Sequence, residues 1–225
     1  FSQKIECLDI ILSLYPDSAQ QLQAVRMQDQ FGRTVLHYAA SSDNTECLKF
    51  IIGLIPESDR AHVLSMRDNN GWTVLHSAAR TGKAECIKFI LALYPETDRL
   101  RAVEETCYLG TVLHLAAWSG NCESFETILD LYPESERFPA LSMTTHNGGT
   151  VLHLVARLNN VECIKSILNF YPESQRLPAL KMKDQRGKTA LDFMNEQTRH
   201  SITEWLSDNY STLEQRSGES NCHII

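Results

Sequence analysis

The sequence predicts an all-α solenoid of stacked helix-turn-helix repeats, joined by hairpin loops and lengthened by an extra segment in each repeat. The motif Thr-x-Leu recurs five times, at intervals of 39, 38, 39 and 39 residues, at Thr34, Thr73, Thr111, Thr150 and Thr189. A fixed period in this range is typical of proteins whose repeats stack on one another. A proline follows the first four of these threonines at the same distance, 22 residues, which indicates a helix end in every unit.

The elements of one unit follow from positions counted from its Thr. A turn of the form Asp-x-x-Gly precedes the Thr in the first two copies, as in Asp29 to Gly32. A short first helix follows, and position +9 carries residues that tolerate a left-handed backbone, such as Gly82 and Gly120. Apolar residues at +13, +14, +17 and +18 then form one stripe of a second helix, which the proline ends.

An extra segment follows each closing proline, as in "PESDRAHVLSM" at 56–66. Its acidic first turn and spaced apolar residues predict a short third helix, which Pro139 and Pro178 would cut short in two copies. An arginine recurs in this segment, and we expect either local ion pairs or contact with a partner from Arg60, Arg99, Arg137 and Arg176.

The pattern Asp-x-x-Gly-x-Thr-x-Leu-His-x-Ala-Ala at 29–40, followed by the second amphipathic helix, resembles the ankyrin repeat over about residues 1–208. Two features depart from that family. Valine stands where the family has proline after the Thr, and the unit is about six residues longer than the usual ~33. The resemblance implies an ankyrin-type solenoid that serves as a non-catalytic scaffold for protein–protein interaction.

The repeat boundaries predict a domain organisation with an array over 1–208 and a flexible polar tail over 209–225. The array divides into a partial repeat at 1–28, full repeats at 29–67, 68–106, 107–144 and 145–183, and a capping repeat at 184–208. Because the chain opens within a repeat, we expect further sequence upstream of residue 1.

The recurrent histidine at +3 (His37, His76, His114 and His153) raises the question of metal or catalytic chemistry. Side chains about 8–10 Å apart in neighbouring units cannot share one metal ion, and a catalytic group is needed once rather than in every copy. We therefore predict that Thr and His form hydrogen bonds within and between the hairpin turns. No catalytic motif, metal site, cofactor or small-molecule substrate is expected.

Residues that vary between copies are the candidates for partner binding, at the hairpin tips and on the exposed side of the first helix. The resemblance places partner contacts there, on Phe31, Tyr38, Trp72, Arg80, Tyr108, Leu115, Trp118, Leu154, Arg157 and Leu158. Trp, Tyr and Arg dominate the energetics of protein interfaces. The alternative is that some of these side chains pack between adjacent first helices.

The overall charge excludes two classes of partner. With 21 basic and 28 acidic residues, the net charge is −7, which is unsuited to a nucleic acid surface or to anionic lipid. Cysteines recur at one apolar position, at Cys7, Cys47, Cys86 and Cys163, as small buried residues rather than disulfide partners. This usage predicts a reducing compartment, such as the cytoplasm.

The last four residues, Cys222 to Ile225, resemble a prenylation box, and the alternative is an inert tail. Membrane association is expected only if Cys222 carries a lipid. The long repeat with "LYPES-x-R" and this box is similar to ankyrin effectors that intracellular bacteria deliver into host cells, which would place the protein in host cytosol or at a host membrane. A second hypothesis is that the array targets or regulates a catalytic domain upstream of residue 1.

Overall fold

The computed structural model describes residues 17–42 and 45–219, which form fifteen helices and one pair of short strands. The first helices of the repeats are α2 (Val35–Ser41), α5 (Val74–Thr81), α8 (Val112–Ser119), α11 (Val151–Ala156) and α14 (Ala190–Phe193). The second helices are α3 (Thr45–Gly53), α6 (Ala84–Ala92), α9 (Cys122–Leu129), α12 (Val161–Asn169) and α15 (Glu196–Glu219). The extra segments form α1 (Ser18–Arg26), α4 (Glu57–Leu64), α7 (Glu96–Glu104), α10 (Glu134–Ser142) and α13 (Glu173–Leu180).

The chain divides into two compact units, residues 1–135 and 136–225. In the first unit, helices α2, α5 and α8 pack side by side, and each second helix packs on the first helix of its own repeat. In the second unit, α11 packs against α12 and α14, and α12 packs against α15. The predicted order of first helix, second helix and added helix is therefore confirmed in both units.

The second helices supply much of the core. In α6, the four apolar side chains at the predicted positions, Cys86, Ile87, Ile90 and Leu91, are all buried. Burial of one such aliphatic side chain stabilises the fold by roughly 1.5–3 kcal/mol. Cys163 is also buried in α12, so the prediction of small buried cysteines is confirmed there, whereas Cys47 is only half-buried.

The added helices begin directly after the closing proline, which stands at the N-cap of α4, α7 and α13. Arg60 and Arg99 extend back and donate from Nε to the carbonyls of Ile55 and Tyr94, at 3.2 and 3.4 Å. These carbonyls lie just beyond the second helix, where acceptors lack helical partners. The local role is thus supported for these two arginines, but the acceptor is a backbone carbonyl rather than a carboxylate.

The prediction that proline shortens two added helices is wrong. Pro139 lies within α10 and Pro178 within α13, and both helices are as long as their counterparts α4 and α7. A proline in a helix leaves the carbonyl four residues earlier without its partner. Here that carbonyl belongs to an exposed residue, Ser135 or Ser174, so the missing N–H does not leave a buried acceptor without a partner.

The last repeat ends on one long helix, α15. Ile202 and Leu206 are buried as predicted, and Trp205 is half-buried with the Arg176 guanidinium carbon 5.4 Å from its ring. The helical backbone continues to Glu219, into the segment for which we predict a flexible polar tail. Residues 209–217 contain no proline or glycine to interrupt a helix. The flexibility of this segment and the repeat boundaries remain predictions.

No helix in the described ranges is both long enough and apolar enough to cross a lipid bilayer.

The hairpins that connect the repeats are fixed turns. The Asp29 carboxylate accepts hydrogen bonds from the N–H groups of Phe31 and Arg33, and Gly32 adopts a φ of 75°. Asp68 and Asp184 make the same bonds in their own turns. The third hairpin is one residue shorter and instead pairs two strands, β1 (Thr106–Cys107) and β2 (Gly110–Thr111).

Successive hairpins within one unit are joined by hydrogen bonds between their backbones. In the first unit, Asn69 N–H donates to the Phe31 carbonyl at 2.9 Å and Tyr108 N–H to the Asn70 carbonyl at 3.2 Å. In the second unit, Gln185 N–H donates to the Asn147 carbonyl at 3.0 Å. These bonds fix where each tip lies relative to the next.

Gly32 and Gly187 have the same backbone conformation, so their alanine variants allow two losses of folding free energy to be measured separately. One loss comes from a left-handed backbone at a non-glycine residue, and the other comes from contact of the new Cβ with a neighbouring hairpin. A Cβ on Gly32 would lie 2.8 Å from the backbone nitrogen of Asn69, whereas one on Gly187 would meet nothing within 4 Å. We expect Gly187→Ala to cost about 1–2 kcal/mol, from φ alone. Gly32→Ala should cost about 1–3 kcal/mol more, because the neighbouring hairpin must move.

Denaturant unfolding followed by circular dichroism measures both losses. Equal losses for the two variants would mean that contact between the tips does not constrain the hairpins.

Candidate protein-binding surface

Each first helix begins with a capping pair of Thr and His. The Nδ1 atom of His37 accepts a hydrogen bond from the Thr34 backbone N–H at 3.1 Å and lies 2.9 Å from the Thr34 hydroxyl. The same contacts recur at Thr73, Thr111 and Thr150 with their own histidines. They satisfy polar groups at the helix start that would otherwise be buried without partners.

The other ring nitrogen joins one repeat to the next. In the first unit, His37 Nε2 lies 2.9 Å from the Trp72 carbonyl, and His76 Nε2 lies 3.1 Å from the Glu105 carbonyl. In the second unit, His153 Nε2 lies 3.2 Å from the Lys188 carbonyl. The prediction that Thr and His bond within and between hairpins is confirmed for these three copies.

This geometry requires a neutral histidine. Since Nδ1 accepts from a backbone N–H, the proton sits on Nε2 and is donated to the carbonyl. Burial lowers the pKa of His76 to about 4 and also lowers the pKa values of His37 and His153. A second proton on Nδ1 would point at the Thr N–H, so these side chains do not suit proton transfer near neutral pH.

The fifth copy keeps only half of this arrangement. Asp192 replaces the histidine, and its Oδ2 accepts hydrogen bonds from the Thr189 N–H at 2.8 Å and from the Thr189 hydroxyl at 2.9 Å. A carboxylate has no N–H with which to reach a following hairpin. The capping function is therefore separable from the bridging function.

No group of three or more His, Cys, Asp and Glu side chains within 17–42 and 45–219 is arranged to hold a metal ion.

The hairpin tips present the most exposed of the predicted residues. Phe31 is 54% exposed and Tyr108 is 57% exposed, on tips whose backbones are held by the bonds between hairpins. Trp72 is half-buried at the base of its hairpin. Large aromatic side chains on a rigid backbone lose little conformational entropy on binding, which suits them to protein recognition.

Position +4 of the first helix is mainly a packing position. Leu115 is fully buried and Leu154 is 9% exposed, so the expectation that these two side chains are exposed on the binding face is wrong. They support the alternative, packing among the helices, and Ser77 at the same position is buried too. Tyr38 differs, because its ring is 48% exposed and its hydroxyl donates to Asp29.

Position +7 is where the first helices remain accessible. Arg80 and Trp118 are half-buried in the first unit, and Arg157 is exposed in the second, followed by the 40% exposed Leu158. The Arg80 guanidinium carbon lies 5.0 Å from the centre of the Trp118 ring. That of Arg157 lies 4.3 Å from the Phe193 ring.

Four exposed apolar residues were missed from the sequence: Met27, Val35, Met143 and Met182, with 66%, 37%, 38% and 39% exposure. Val35 has the same register as Val74, Val112 and Val151, which are fully buried. The sequence register therefore contains no signal that distinguishes Val35 from its counterparts.

These features define a helical repeat protein whose recurrent residues serve the fold. Its helix pairs stack, its hairpins are joined through buried histidines, and its hairpin tips carry exposed aromatic side chains. The sequence profile described as "Ankyrin repeats (3 copies)" matches residues 2–101, 54–139 and 113–216. The chain belongs to the ankyrin-repeat family, and it is a protein–protein interaction module of a kind that is typically non-catalytic. Comparison with curated proteins gives no match.

The lowered histidine pKa values predict a loss of stability in acid. Below a pH of about 6.5 the unfolded chain takes up protons that the folded chain does not. Stability should therefore be highest above that pH and should fall as the pH decreases toward 4. His76 should account for about 2–3 kcal/mol of this loss.

Guanidinium titrations from pH 7.5 to 4.5 give the slope, and His76→Asn should reduce it. His62→Asn, which alters an exposed histidine of the same unit, should leave the slope as it is. An unchanged slope in His76→Asn would show that this ring does not carry the pH dependence.

Proposed function

We propose that the protein binds another protein through its hairpin tips and through position +7 of its first helices. The observation that carries the proposal is the exposure of Phe31 and Tyr108 on hairpins whose backbones are fixed by hydrogen bonds. Apolar surface of this kind favours association, and a fixed backbone reduces the entropy that binding must overcome. Trp72, Arg80 and Trp118 add the residue types that dominate interface energies.

Replacing the aromatic tips should abolish capture of a partner without unfolding the protein. We expect Phe31→Ser combined with Tyr108→Ser to remove proteins that the wild-type chain retains from a eukaryotic cell lysate. The melting temperature should stay within a few degrees, because both side chains are more than half exposed. Affinity capture with quantitative mass spectrometry, beside circular dichroism, provides both readouts.

Met182→Ser is a matched control, since it removes another exposed apolar side chain, away from the predicted positions. Retention of the same proteins by the double variant would contradict a role for the tips. Loss of those proteins from the Met182→Ser variant as well would indicate nonspecific apolar adhesion.

We propose further that the partner is a host protein and that the chain acts as an effector in reducing host cytosol. The effector role is supported by the long repeat with its "LYPES-x-R" signature, and the reducing compartment by the cysteine usage. Cys222 lies outside the described residues, and its prenylation is proposed from the sequence of the last four residues alone. One lipid chain would give weak, reversible membrane attachment.

Lipid attachment can be tested by intact mass. After incubation in eukaryotic cytosol, the chain with its own C-terminus should gain the mass of a prenyl group, and Cys222→Ser should not. Cys107→Ser controls for modification of a half-buried cysteine. No mass gain in the wild-type chain would leave Cys222 as an ordinary residue and remove the membrane from the proposal.

A further inference from the structure

The chemistry of the partner can be inferred from one arginine at position +7. Arg80 projects from α5 so that its guanidinium carbon lies 5.0 Å from the centre of the Trp118 ring on α8. Stacking on an aromatic face holds the guanidinium plane in a defined orientation. Both side chains are only half-buried, so this cation is ordered and still accessible from solvent.

The Arg80 guanidinium has no hydrogen-bond acceptor within the ranges 17–42 and 45–219. Five other arginines of the first unit are engaged: Arg26, Arg33 and Arg67 pair with carboxylates, and Arg60 and Arg99 donate to backbone carbonyls. A guanidinium carries five N–H donors. Those of Arg80 meet no acceptor among the described residues, although the contact with the Trp118 ring already restricts the side chain.

The surroundings of Arg80 carry no compensating negative charge on the helix row. Helices α2, α5 and α8 contain no Asp or Glu, in a chain that has 28 acidic residues against 21 basic ones. The hairpin carboxylates are occupied: Asp29 accepts from Tyr38 and from its own turn, and Asp68 accepts from Arg33 and its own turn. An acidic protein thus presents a positive site on the row of first helices.

The second unit repeats the arrangement independently. Arg157 occupies position +7, directly after the end of α11; its guanidinium carbon lies 4.3 Å from the centre of the Phe193 ring, and the guanidinium likewise makes no hydrogen bond with any described residue. An arginine at +7 stacked on an aromatic ring of the next repeat is therefore a recurring feature. It serves neither the helix caps nor the hairpins.

We propose that Arg80, held on Trp118, binds a carboxylate of the partner, so that the first-helix row of the first unit takes an acidic peptide segment. This inference rests on the proposed function and specifies the partner's chemistry. The guanidinium fork matches the two oxygens of a carboxylate. Recognition of a doubly charged phosphate uses clustered cations, whereas helices α2, α5 and α8 contain no Lys or Arg other than Arg80.

The test begins with peptides selected from a random library displayed on phage, using the whole folded chain as target. We expect the selected peptides to be enriched in Asp and Glu. The tightest peptide is then synthesised with a fluorophore, and its Kd is measured for the wild-type chain and for Arg80→Gln, Arg80→Lys and Trp118→Leu. Thermal melting of each variant checks that the fold is kept.

A double-mutant cycle identifies the contact. Arg80→Gln should weaken binding about tenfold or more, because a charge-assisted hydrogen bond is lost. Changing the critical peptide Asp or Glu to its amide should weaken binding equally, and the two changes together should add little further. Arg80→Lys should fall between the wild type and Arg80→Gln, since it keeps the charge without the fork.

Arg101→Gln is the matched control: it removes the same charge from an exposed arginine on α7 that likewise has no partner among the described residues. It should leave Kd nearly unchanged. Additive losses in the cycle, or peptides without acidic residues, would overturn the carboxylate assignment. If the carboxylate assignment failed but Phe31→Ser with Tyr108→Ser still abolished peptide binding, the proposed protein-binding function would stand. If none of these variants changed peptide binding, both the carboxylate assignment and the proposed binding surface would be wrong.

Discussion

The hydrogen bond from a buried histidine to the carbonyl of the next hairpin is the contact on which the arrangement of repeats depends. One ring nitrogen caps the helix of its own repeat, and the other donates across to the following hairpin, so each imidazole joins a local structure to its neighbour. Because the ring is rigid, it also fixes the distance and direction between the two. The histidine bridge thus sets the same displacement between each bridged repeat and the next. The contacts between hairpin tips and the packing of the first helices follow from that displacement.

A strict division of labour results. Residues that recur in every copy cap the helices, form the turns or pack in the core, and their side chains are largely buried. The positions left to vary are few: the two residues at each tip and the accessible positions of the first helix. Variation there changes the surface without disturbing the bonds that orient it, which is why one scaffold can present unrelated chemistry.

Most of the fold could be predicted from the sequence, because the period of Thr, His and proline fixes the helix order and the buried stripe of α6. The site was predicted less well. A register states which residues share a helix face, but exposure depends on what the neighbouring helix covers. Tyr38 and Leu115 hold the same position, yet one ring is half exposed and the other side chain is buried. The stacking of Arg157 on Phe193 joins residues of different repeats, which no local pattern indicates.

The replacement of histidine by Asp192 has a consequence for how such a chain can change in length. The second repeat both offers a bridging N–H, from His76, and supplies a carbonyl, that of Trp72, whereas the fifth, with its carboxylate, supplies the Lys188 carbonyl to the repeat before it and has no ring N–H to offer. Duplication or deletion of such an internal unit therefore places a histidine N–H opposite a carbonyl at the new junction. No polar group is left without a partner there. A hairpin placed after the fifth repeat would find no histidine N–H to donate to its carbonyl, because Asp192 stands at that position. A change in the number of internal repeats would thus change the number of binding tips and leave the bonds of the remaining junctions as they are.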